Sequence, residues 1–449
     1  MQSQEPFVSE RERKMKNQKA LPTREELIAK GYPYGKAAEG IPMGDPKEEH
    51  GRTAPDYTVY RPYREDGVDQ DNVHFLVVPV KSGKKLFAVW TQSSVEGHGD
   101  NHLVLSETED FVHWREPRIL SGTFPGRTEE QANWGFPIVT QSGRIYLFCS
   151  RGGFDRNWDI ICTYSDDEGE TFTEPVPLRM PEDREGYWVV WQTPMKCSDG
   201  AYLVGCTIWY GETVPNTNWC HREAKAHILS FDNLDDDPEA GDVKLSWRTQ
   251  RPLEVEDPMV PGMSNFQEPA IVELPDGRIW MQGRTMKDSP YWAVSEDGGR
   301  TFSEPQPMRY SDGSLVLHPL SPCPVYEYQK GKYFILTHQN NGIRLGFDHH
   351  ELQWRCNYAN FIRNPYYLCK AEFDPIGNQP LKIEMPIKLI DTGDVAVGPK
   401  QTAEGGTYTS FTRWKGQSVL WYPDRKFYLL GKKLDGFGIK MEGYGPTVK

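Results

Sequence analysis

One segment of the 449-residue chain, WTQSSVEGHGDNHLVLSE, brings together side chains that exchange protons near neutral pH. In this segment His98 and His102 each lie two residues from Asp100. A histidine titrates near neutrality, so it can serve as an acid, as a base or as the partner of a carboxylate. The segment therefore predicts a proton-transfer site, with an ordinary polar loop as the alternative interpretation.

The same two histidines are four residues apart, a spacing that binds zinc when both lie on one helix. Here the surrounding residues indicate loop and strand, so we predict neither a metal site nor a cofactor. The eight cysteines form no CxxC pair, and several lie in apolar strand-like runs such as YLFCS and DIICTY. We expect them to be buried, reduced thiols.

The elements that must position such side chains are short strands. After residue 56, strand-like runs recur, including HFLVVPV, KLFAVWTQ, RIYLFCS and YFILTHQ, and turns such as QSGR, PDGR and QKGK separate them. Several pairs have the pattern of a hairpin, for example PAIVEL-PDG-RIWMQGR. No amphipathic helical pattern lies between the runs. The sequence therefore predicts antiparallel sheets and a nearly all-β fold.

Two regions differ in composition. Residues 1–50 form a polar extension with one short helix predicted in TREELIAKGY, where Thr23 is the N-cap and Glu26 completes a capping box. Residues 51–449 form the strand-rich domain. The extension has charges where a secretory signal needs apolar residues, and no apolar run is long enough to span a membrane. We predict a soluble cytoplasmic protein that binds no membrane, and the sequence leaves its oligomeric state open.

The net charge of −13 is spread along the chain, and no basic stripe is present that could neutralise phosphates. This distribution argues against nucleic acid as a partner.

An eleven-residue pattern occurs twice, as SDDEGETFTEP at 165–175 and SEDGGRTFSEP at 295–305. In each copy an aspartate (Asp167, Asp297) can accept backbone N–H groups, and a glycine provides a φ that side chains disfavour. The pattern resembles the Asp-box, or BNR repeat, of sialidase-like β-propellers, and SETEDFVHWREP at 106–117 resembles a degenerate copy. The resemblance implies an all-β propeller of six blades, or alternatively seven, with the boxes between outer strands and away from any chemistry.

The resemblance to the sialidase superfamily extends over most of 57–430 and implies site residues. The stretch NFQEPAIVELPDGRIWMQGRT resembles the one that carries a catalytic glutamate and a carboxylate-binding arginine, here Glu268 and Arg284. IRNPYYLCKAEF resembles the strand with another arginine of that set, here Arg363. GGTYTSFTRWKGQSVLWYPD resembles the strand with the nucleophilic tyrosine, here Tyr408. The alternative in each case is a purely structural residue at a strand end.

A tyrosine nucleophile has a physical reason in this family. The anomeric carbon of a sialic acid carries a carboxylate, which would repel an anionic nucleophile, whereas a neutral phenol avoids like charge. A phenol is a weak nucleophile at neutral pH and needs a neighbouring base, which Glu268 would supply. Arginines suit the sugar carboxylate because their planar fork binds it bidentately.

The chain departs from the family in two places. NVHFLVVPV places His74 where the family has its first arginine, although Arg61 in VYRPY is an alternative counterpart. The segment containing His98, Asp100 and His102 occupies the place of the family's acid/base aspartate. Trp191 in WVVWQTP is a candidate sugar platform, with a core tryptophan as the alternative. Further candidates lining the site are Trp134, Gln192, His318 and His338.

These observations lead to three functional hypotheses. The first is a sialidase-like retaining hydrolase that acts on a terminal acidic sugar of an oligosaccharide or glycan. The second follows a related branch of propeller enzymes, the rhamnose–glucuronate lyases and rhamnosidases. It is a lyase that cleaves a glucuronate-linked sugar by β-elimination, using His74, His102 and Tyr408. The third is a glycan-binding propeller without catalysis.

Overall fold

Six antiparallel sheets contain the strands of the computed structural model, which describes residues 42–96, 99–122, 131–152, 160–178, 181, 187–189, 192, 194–211, 222–258, 260–340 and 363–440. Each sheet is one blade. The strand that comes first in the chain is the innermost one in blades 1 to 5, whereas blade 6 also takes its outermost strand from the N-terminal segment. Ahead of the blades, the chain forms a one-turn helix α1 (Pro46–Glu49) and strand β1 (Tyr57–Tyr60). The six-bladed prediction is therefore confirmed, and the seven-bladed alternative is wrong.

The first three blades follow one another along the chain. Blade 1 comprises β2 (Asp71–Pro79), β3 (Leu86–Ser93), β4 (His102–Thr108) and β5 (Arg118–Gly122). Blade 2 comprises β6 (Ala132–Val139), β7 (Ile145–Arg151), β8 (Ile160–Ser165) and β9 (Val176–Leu178). Blade 3 comprises β10 (Tyr187–Val189) and β11 (Met195–Lys196), which both pair with β12 (Tyr202–Tyr210), then β13 (Glu223–Phe231) and β14 (Leu245–Trp247).

The last three blades complete the ring. Blade 4 comprises β15 (Phe266–Glu273), β16 (Ile279–Thr285), β17 (Tyr291–Ser295) and β18 (Gln306–Pro307). Blade 5 comprises β19 (Val325–Gln329), β20 (Lys332–Thr337), β21 (Tyr366–Phe373), β22 (Leu381–Ile383) and β23 (Ile387–Ile390). Blade 6 comprises β24 (Ser410–Trp414), β25 (Gln417–Asp424) and β26 (Tyr428–Lys433). Short 3-10 helices lie at Leu234–Asp236, Ala240–Asp242 and Asp435–Phe437.

The ring is closed by strand β1, which pairs with β26 and forms the outermost strand of blade 6. Tyr57 lies opposite Gly431, where a side chain would collide with the buried ring of Trp421. The N-terminal segment thus completes the blade built from the C-terminal part of the described chain. Closure in this way leaves blade 6 with four strands, like blade 1.

The inner strands meet around the propeller axis. A cavity of about 680 Å³ lies between them, lined by residues that include Val77 of β2, Val272 of β15, Tyr326 of β19 and Phe411 of β24. On β2 and β15 this lining lies in the later part of the strand, towards the opposite end of the axis from the strand starts. Because these strands start at one face of the ring and end at the other, residues at their starts gather around one axial mouth. This arrangement positions the candidate site.

Both good copies of the Asp-box lie where the resemblance placed them, between the third and fourth strands of a blade. In blade 4, the Asp297 carboxylate accepts the backbone N–H groups of Arg300 and Thr301 at 3.0 and 2.9 Å and the Thr301 hydroxyl at 2.7 Å. These donors outweigh the opposing effect of burial and lower the pKa of Asp297 to about 2. The degenerate copy spans the corresponding turn of blade 1, where the Ser106 hydroxyl donates to the carbonyl of Arg115 at 2.6 Å.

Large aromatic residues fill the spaces between blades, and Trp90, Trp280 and Trp421 are fully buried. The cysteines of the described residues are buried free thiols, as predicted. In the described part of the chain, no helix is long and apolar enough to cross a membrane. The helix predicted from TREELIAKGY lies outside the described residues.

Candidate active site

The inner strands of three blades carry a β-bulge at the same position. His74 is the fourth residue of its strand, Trp134 and Glu268 are the third residues of theirs, and each has a positive φ, of 52°, 51° and 48°. At each of them the register with the second strand slips. A bulge breaks the alternation of a strand and redirects a side chain. Backbone strain of this kind in residues other than glycine is concentrated at functional sites.

Tyr408 has the same left-handed conformation, with a φ of 60°, two residues before β24 begins. Blades 1, 2, 4 and 6 therefore each present one aromatic or ionisable side chain at the same end of the axis. None of these four residues is glycine, the residue that adopts a positive φ without strain.

Threonines of the preceding blade support two of the bulges. The backbone N–H of Trp134 donates to the Thr91 hydroxyl at 2.8 Å, and that of Glu268 donates to the Thr207 hydroxyl at 2.6 Å. Both threonines lie on the second strand of the blade before. Because of the bulge, the backbone N–H of Trp134 or Glu268 does not pair with the adjacent strand of its own blade. The threonine hydroxyl of the preceding blade accepts it instead, and this hydrogen bond holds the bulge in place.

Tyr408 and Glu268 are directly connected. The phenol of Tyr408 donates to Oε1 of Glu268 at 3.0 Å, and Oε2 of the same carboxylate lies 2.8 Å from Nη1 of Arg284. All three side chains are buried. Burial and the Glu268 carboxylate raise the pKa of Tyr408 to about 12, against the opposing charges of Arg284, Arg363 and Lys426. The phenol is therefore neutral near pH 7 and has a base within hydrogen-bond distance.

A chain of polar contacts orients Arg284. Its Nε donates to Oε1 of Gln267 at 3.0 Å, and the amide of Gln267 donates in turn to Asn265. The Asn265 amide donates to Asp257 at 3.0 Å. Because each partner is itself held, the guanidinium stays beside Glu268 with a fixed orientation.

Arg363 enters the same group from the start of β21. Its Nε and Nη2 donate to the carbonyl of Leu320 at 3.2 and 2.7 Å, and its Nη1 donates to Glu404 at 3.0 Å. Burial alone would lower the pKa of Arg363, but the nearby negative charge of Glu404, with smaller contributions from Tyr408 and Glu268, raises it. Arg363 therefore remains a cation within electrostatic reach of the Tyr408–Glu268 pair.

His74 packs its ring against Tyr408, with 4.2 Å between ring centroids, and lies edge-on to Trp134 at 5.8 Å. It is 4% exposed, and neither ring nitrogen has a hydrogen-bond partner among the residues that the structure describes. Burial, followed by the charge of Lys426, holds the pKa of His74 well below its usual value. A neutral imidazole with two unpartnered nitrogens therefore lies beside the phenol, at the position where the sequence placed it.

The structure adds charged residues that the sequence interpretation missed. Nζ of Lys426 lies 5.9 Å from the ring centroid of Tyr408, 3.4 Å from Glu404 and 2.6 Å from Glu96. Glu96 also binds Lys400 at 2.5 Å. Lys426 belongs to the β25–β26 turn, and its sequence, PDRK, has the composition of a surface turn. No local signal distinguishes it, because its burial results from the contact between blades 6 and 1.

Of the predicted proton-transfer residues, Asp100 lies in the loop between β3 and β4, and His102 is the first residue of β4. Asp100 accepts the Ser94 backbone N–H at 3.0 Å through Oδ2, and its buried Oδ1 has no partner within the described ranges. His102 lies on β4, the third strand of its blade, where its ring nitrogens contact the Asp100 carbonyl at 3.0 Å and Oε1 of Gln92 at 3.1 Å. The ring is thus held within blade 1, and His102 is not retained in the candidate site.

The other candidates fall into three groups. His98 and Trp191 lie outside the described residues. Arg61 is exposed, whereas His74 lies beside Tyr408, so the alternative that Arg61 replaces the first arginine is not supported. His318 and His338 are buried and stack on each other with 5.4 Å between ring centroids; His318 donates to the Ser321 carbonyl at 2.8 Å.

Comparisons with known proteins agree with this architecture. Residues 84–340 match the family described as BNR repeat-like domain, whereas no curated protein matches the chain. A crystal structure of a protein of unknown function from Dyadobacter fermentans aligns with a TM-score of 0.56 at 14% identity, over 85% of this chain and 97% of its own. The Hadza microbial sialidase Hz136 aligns with a TM-score of 0.59 at 13% identity, over 85% of this chain and 68% of its own. A mutant of the NanB sialidase from Streptococcus pneumoniae aligns with a TM-score of 0.56 at 10% identity, over 89% of this chain and 72% of its own. Identities this low establish the shared fold alone.

Proposed function

Because the chain belongs to the family of BNR repeat-like domains and folds as a six-bladed sialidase-like propeller, we propose that it is a retaining glycoside hydrolase that acts on a terminal acidic sugar. The observation that carries this proposal is the 3.0 Å hydrogen bond from the Tyr408 phenol to Glu268. A nucleophile and its base in contact, with a third group that orients the base, is the arrangement that covalent catalysis requires. Arg284, 2.8 Å from Glu268, is the orienting group.

In the proposed reaction Glu268 accepts the phenol proton while Oη of Tyr408 bonds to the anomeric carbon, and the glycosidic C–O bond breaks as its oxygen takes a proton from solvent. A water molecule then attacks the same carbon and gives one proton back to solvent, the bond to Tyr408 breaks, and Glu268 returns the proton to the phenolate. Two inversions at one carbon give net retention. The high pKa of Tyr408 makes the base necessary, since few phenols are ionised near pH 7.

The cations of the site support an acidic substrate. A guanidinium has five N–H donors, and the contacts of Arg284 to Gln267 and Glu268 engage its Nε and Nη1, which leaves Nη2 for a carboxylate of the sugar. Arg363 and Lys426 add positive charge next to Tyr408. His74 replaces one cation of the family's pattern with a neutral ring that can donate or accept a single hydrogen bond. The ring of His74 can donate one hydrogen bond and accept one, so it suits a sugar hydroxyl better than a carboxylate.

The unpartnered ring of His74 also favours a second candidate function. A neutral imidazole 4.2 Å from a tyrosine ring, with no partner for either nitrogen in the described part of the chain, is suited to remove the proton next to a uronate carboxylate. In that lyase the glycosidic oxygen would leave by β-elimination. His102, which the sequence interpretation included in this mechanism, is engaged within blade 1.

The test is to incubate the protein with sialosides and, separately, with glucuronate-capped oligosaccharides, and to separate the products by chromatography. Release of the free sugar acid, lost in Tyr408→Phe, supports the hydrolase. An unsaturated uronate, detected by its ultraviolet absorbance, supports the lyase and contradicts the hydrolase. Binding of either glycan without any product supports the non-catalytic alternative. Melting temperatures of both proteins control for misfolding of the variant.

A further inference from the structure

Glu268 has a backbone conformation that the next residue in the chain makes costly. Its φ of 48° lies in the left-handed region that residues other than glycine rarely adopt. The next residue is Pro269, whose ring crowds the preceding backbone and favours an extended conformation there. His74, Trp134 and Tyr408 share the positive φ, but none of them precedes a proline. Of these four positions, that of Glu268 therefore depends most on the residues that surround it.

Thr207 of blade 3 provides the first of those contacts. It lies on β12, is fully buried, and its hydroxyl accepts the backbone N–H of Glu268 at 2.6 Å. The pairing of β15 with β16 stops at Gln267 and resumes only at Ala270, and Pro269 has no N–H of its own. Without the Thr207 hydroxyl, the N–H of Glu268 would be a buried donor without an acceptor.

Gly205 provides the second contact, from two residues earlier on the same strand. Side chains alternate along a strand, so positions 205 and 207 face the same neighbour. A Cβ atom at position 205 would collide with the carbonyl oxygen of Pro269. The backbone of β12 thus approaches the peptide after Glu268 more closely than any side chain would allow.

The next strand of blade 3, β13, fixes the chain just ahead of the bulge. The backbone N–H of Ala224 donates to the carbonyl of Ser264 at 2.9 Å, and the Ser264 hydroxyl donates to the carbonyl of Ala224 at 2.8 Å. Blade 3 contributes none of the reacting groups in the proposed reaction. Its second and third long strands nevertheless hold the segment from Ser264 to Pro269 at both ends.

We infer that Thr207 is a positioning residue of the proposed hydrolase, whose hydroxyl holds Glu268 in the conformation that places its carboxylate at the Tyr408 phenol. This inference rests on the proposed function. If the acceptor is lost, the N–H of Glu268 stays unpaired unless its peptide rotates. Rotation towards an extended conformation relieves the strain before Pro269 and redirects the Glu268 side chain, because the bulge sets its direction. Tyr408 then loses its base.

The experiment compares two substitutions of one residue in the full-length protein. Thr207→Val keeps the size and branching of the side chain but cannot accept an N–H, whereas Thr207→Ser keeps the hydroxyl. On the preferred acidic glycoside, Thr207→Val is expected to lower kcat by about 10²-fold, the cost of a small misplacement of a catalytic group. Its KM should change little, because Thr207 acts through the base. Thr207→Ser should retain most of the wild-type kcat.

The pH profile separates positioning from a merely structural role. The residual kcat of Thr207→Val should rise with pH, because Tyr408 without its base depends on ionisation towards its pKa of about 12. Thr91→Val is the matched control, since the buried Thr91 hydroxyl accepts the N–H of Trp134 at 2.8 Å. It should lower the melting temperature as much as Thr207→Val does and keep the wild-type shape of the pH–kcat profile.

Two results would overturn the inference. One is a Thr207→Val protein with a lower melting temperature but the wild-type kcat and pH profile. The other is the same altered profile in Thr91→Val. If Thr207→Val does not fold, Thr207→Cys replaces it, since a thiol sulfur is only a weak acceptor, and the same outcomes apply.

A second readout does not depend on activity. Crystal structures of the wild type and of Thr207→Val should show that the variant loses the positive φ of Glu268 and the hydrogen bond from Tyr408 to Glu268. An unchanged hydrogen bond in the variant would contradict the role of Thr207. If the wild type hydrolyses no acidic glycoside, the proposed function fails, and this comparison still decides whether Thr207 positions Glu268.

Discussion

The Tyr408 phenol donates to Glu268 at 3.0 Å although the two residues are 140 positions apart and belong to blades 6 and 4. The contact exists because both side chains leave their blades at positions with a left-handed backbone, and because those positions lie at the same end of the axis. The propeller thus holds nucleophile and base together without a local sequence motif that contains both.

Glu268→Gln should lower turnover by about 10²- to 10⁴-fold, since the amide keeps the size of the side chain but cannot accept the phenol proton. The residual activity should increase with pH, because the ionised fraction of Tyr408 grows towards its pKa of about 12. The measurement is a pH–rate profile on the preferred acidic glycoside. Glu273→Gln, further along the same strand and hydrogen-bonded to Ser198, is the matched control. A flat profile for Glu268→Gln would argue against its role as base.

His74→Phe should raise the free energy of unfolding by about 1–3 kcal/mol, because it removes two buried nitrogens that have no partner and keeps the ring beside Tyr408. The same change should weaken binding of the acidic sugar, since the ligand loses a hydrogen-bonding partner. Urea unfolding and calorimetric titration measure the two effects.

The matched control for that change is His338→Phe in blade 5. His338 shares a hydrogen bond with the Ser321 hydroxyl at 3.0 Å and donates to the Pro365 carbonyl at 3.2 Å. Its replacement should destabilise the fold and leave ligand affinity unchanged. A loss of stability in both variants would mean that His74 is an ordinary structural histidine.

Arg425→Met should destabilise the protein by about 3–5 kcal/mol, because it removes the partner of two buried carboxylates. The Arg425 guanidinium binds Glu49 at 2.8 Å and Asp424 at 2.9 Å, and so ties helix α1 to the turn that presents Lys426. Chemical denaturation measures the effect. Arg64→Met, which breaks an exposed pair with Asp66, should cost less than about 1 kcal/mol. Equal costs for the two variants would show that this N-terminal contact contributes little.

Asp71→Asn should stabilise the protein above about pH 7. The pKa of Asp71 is raised from 3.8 to about 7 on folding, so the folded state retains a proton that the unfolded chain releases. The stability that this group contributes is therefore complete below about pH 4 and is lost as the pH rises through about 7. Unfolding free energies of both proteins at pH 4 and pH 8 test this. A variant that is equally destabilised at both values would contradict the sign.

The fold could be predicted from the sequence to a large extent because its signals are local. Each Asp-box copy sets its own turn through Asp167 or Asp297, and the strand-like runs alternate with turn residues. Blade number followed from the length of the strand-rich region and from the resemblance. The closure of blade 6 by β1 is a long-range pairing, but it follows from the need of a ring to pair its last strand.

The site was predictable only in part, because its members come from different blades. Glu268, Arg284, Arg363 and Tyr408 had matches in the family pattern, and His74 stood where that pattern has an arginine; the structure brings the five together. Lys426, Glu96 and Asp71 had none, since Lys426 and Asp71 are buried only where blades 6 and 1 meet, and Lys426 binds the partly exposed Glu96 there. His102 was expected to transfer protons because of its neighbours in sequence, yet strand β4 turns its ring into blade 1.

The central claim is that Tyr408 bonds covalently to the sugar, and the most direct measurement is to trap that bond. The protein would be incubated with a fluorinated glycosyl fluoride of the acidic sugar, which slows release of the intermediate, and then digested and analysed by mass spectrometry. We predict one added sugar on the peptide that contains Tyr408, and none in Tyr408→Phe. A sugar attached to a different residue, or turnover of a substrate by Tyr408→Phe at the wild-type rate, would contradict the account.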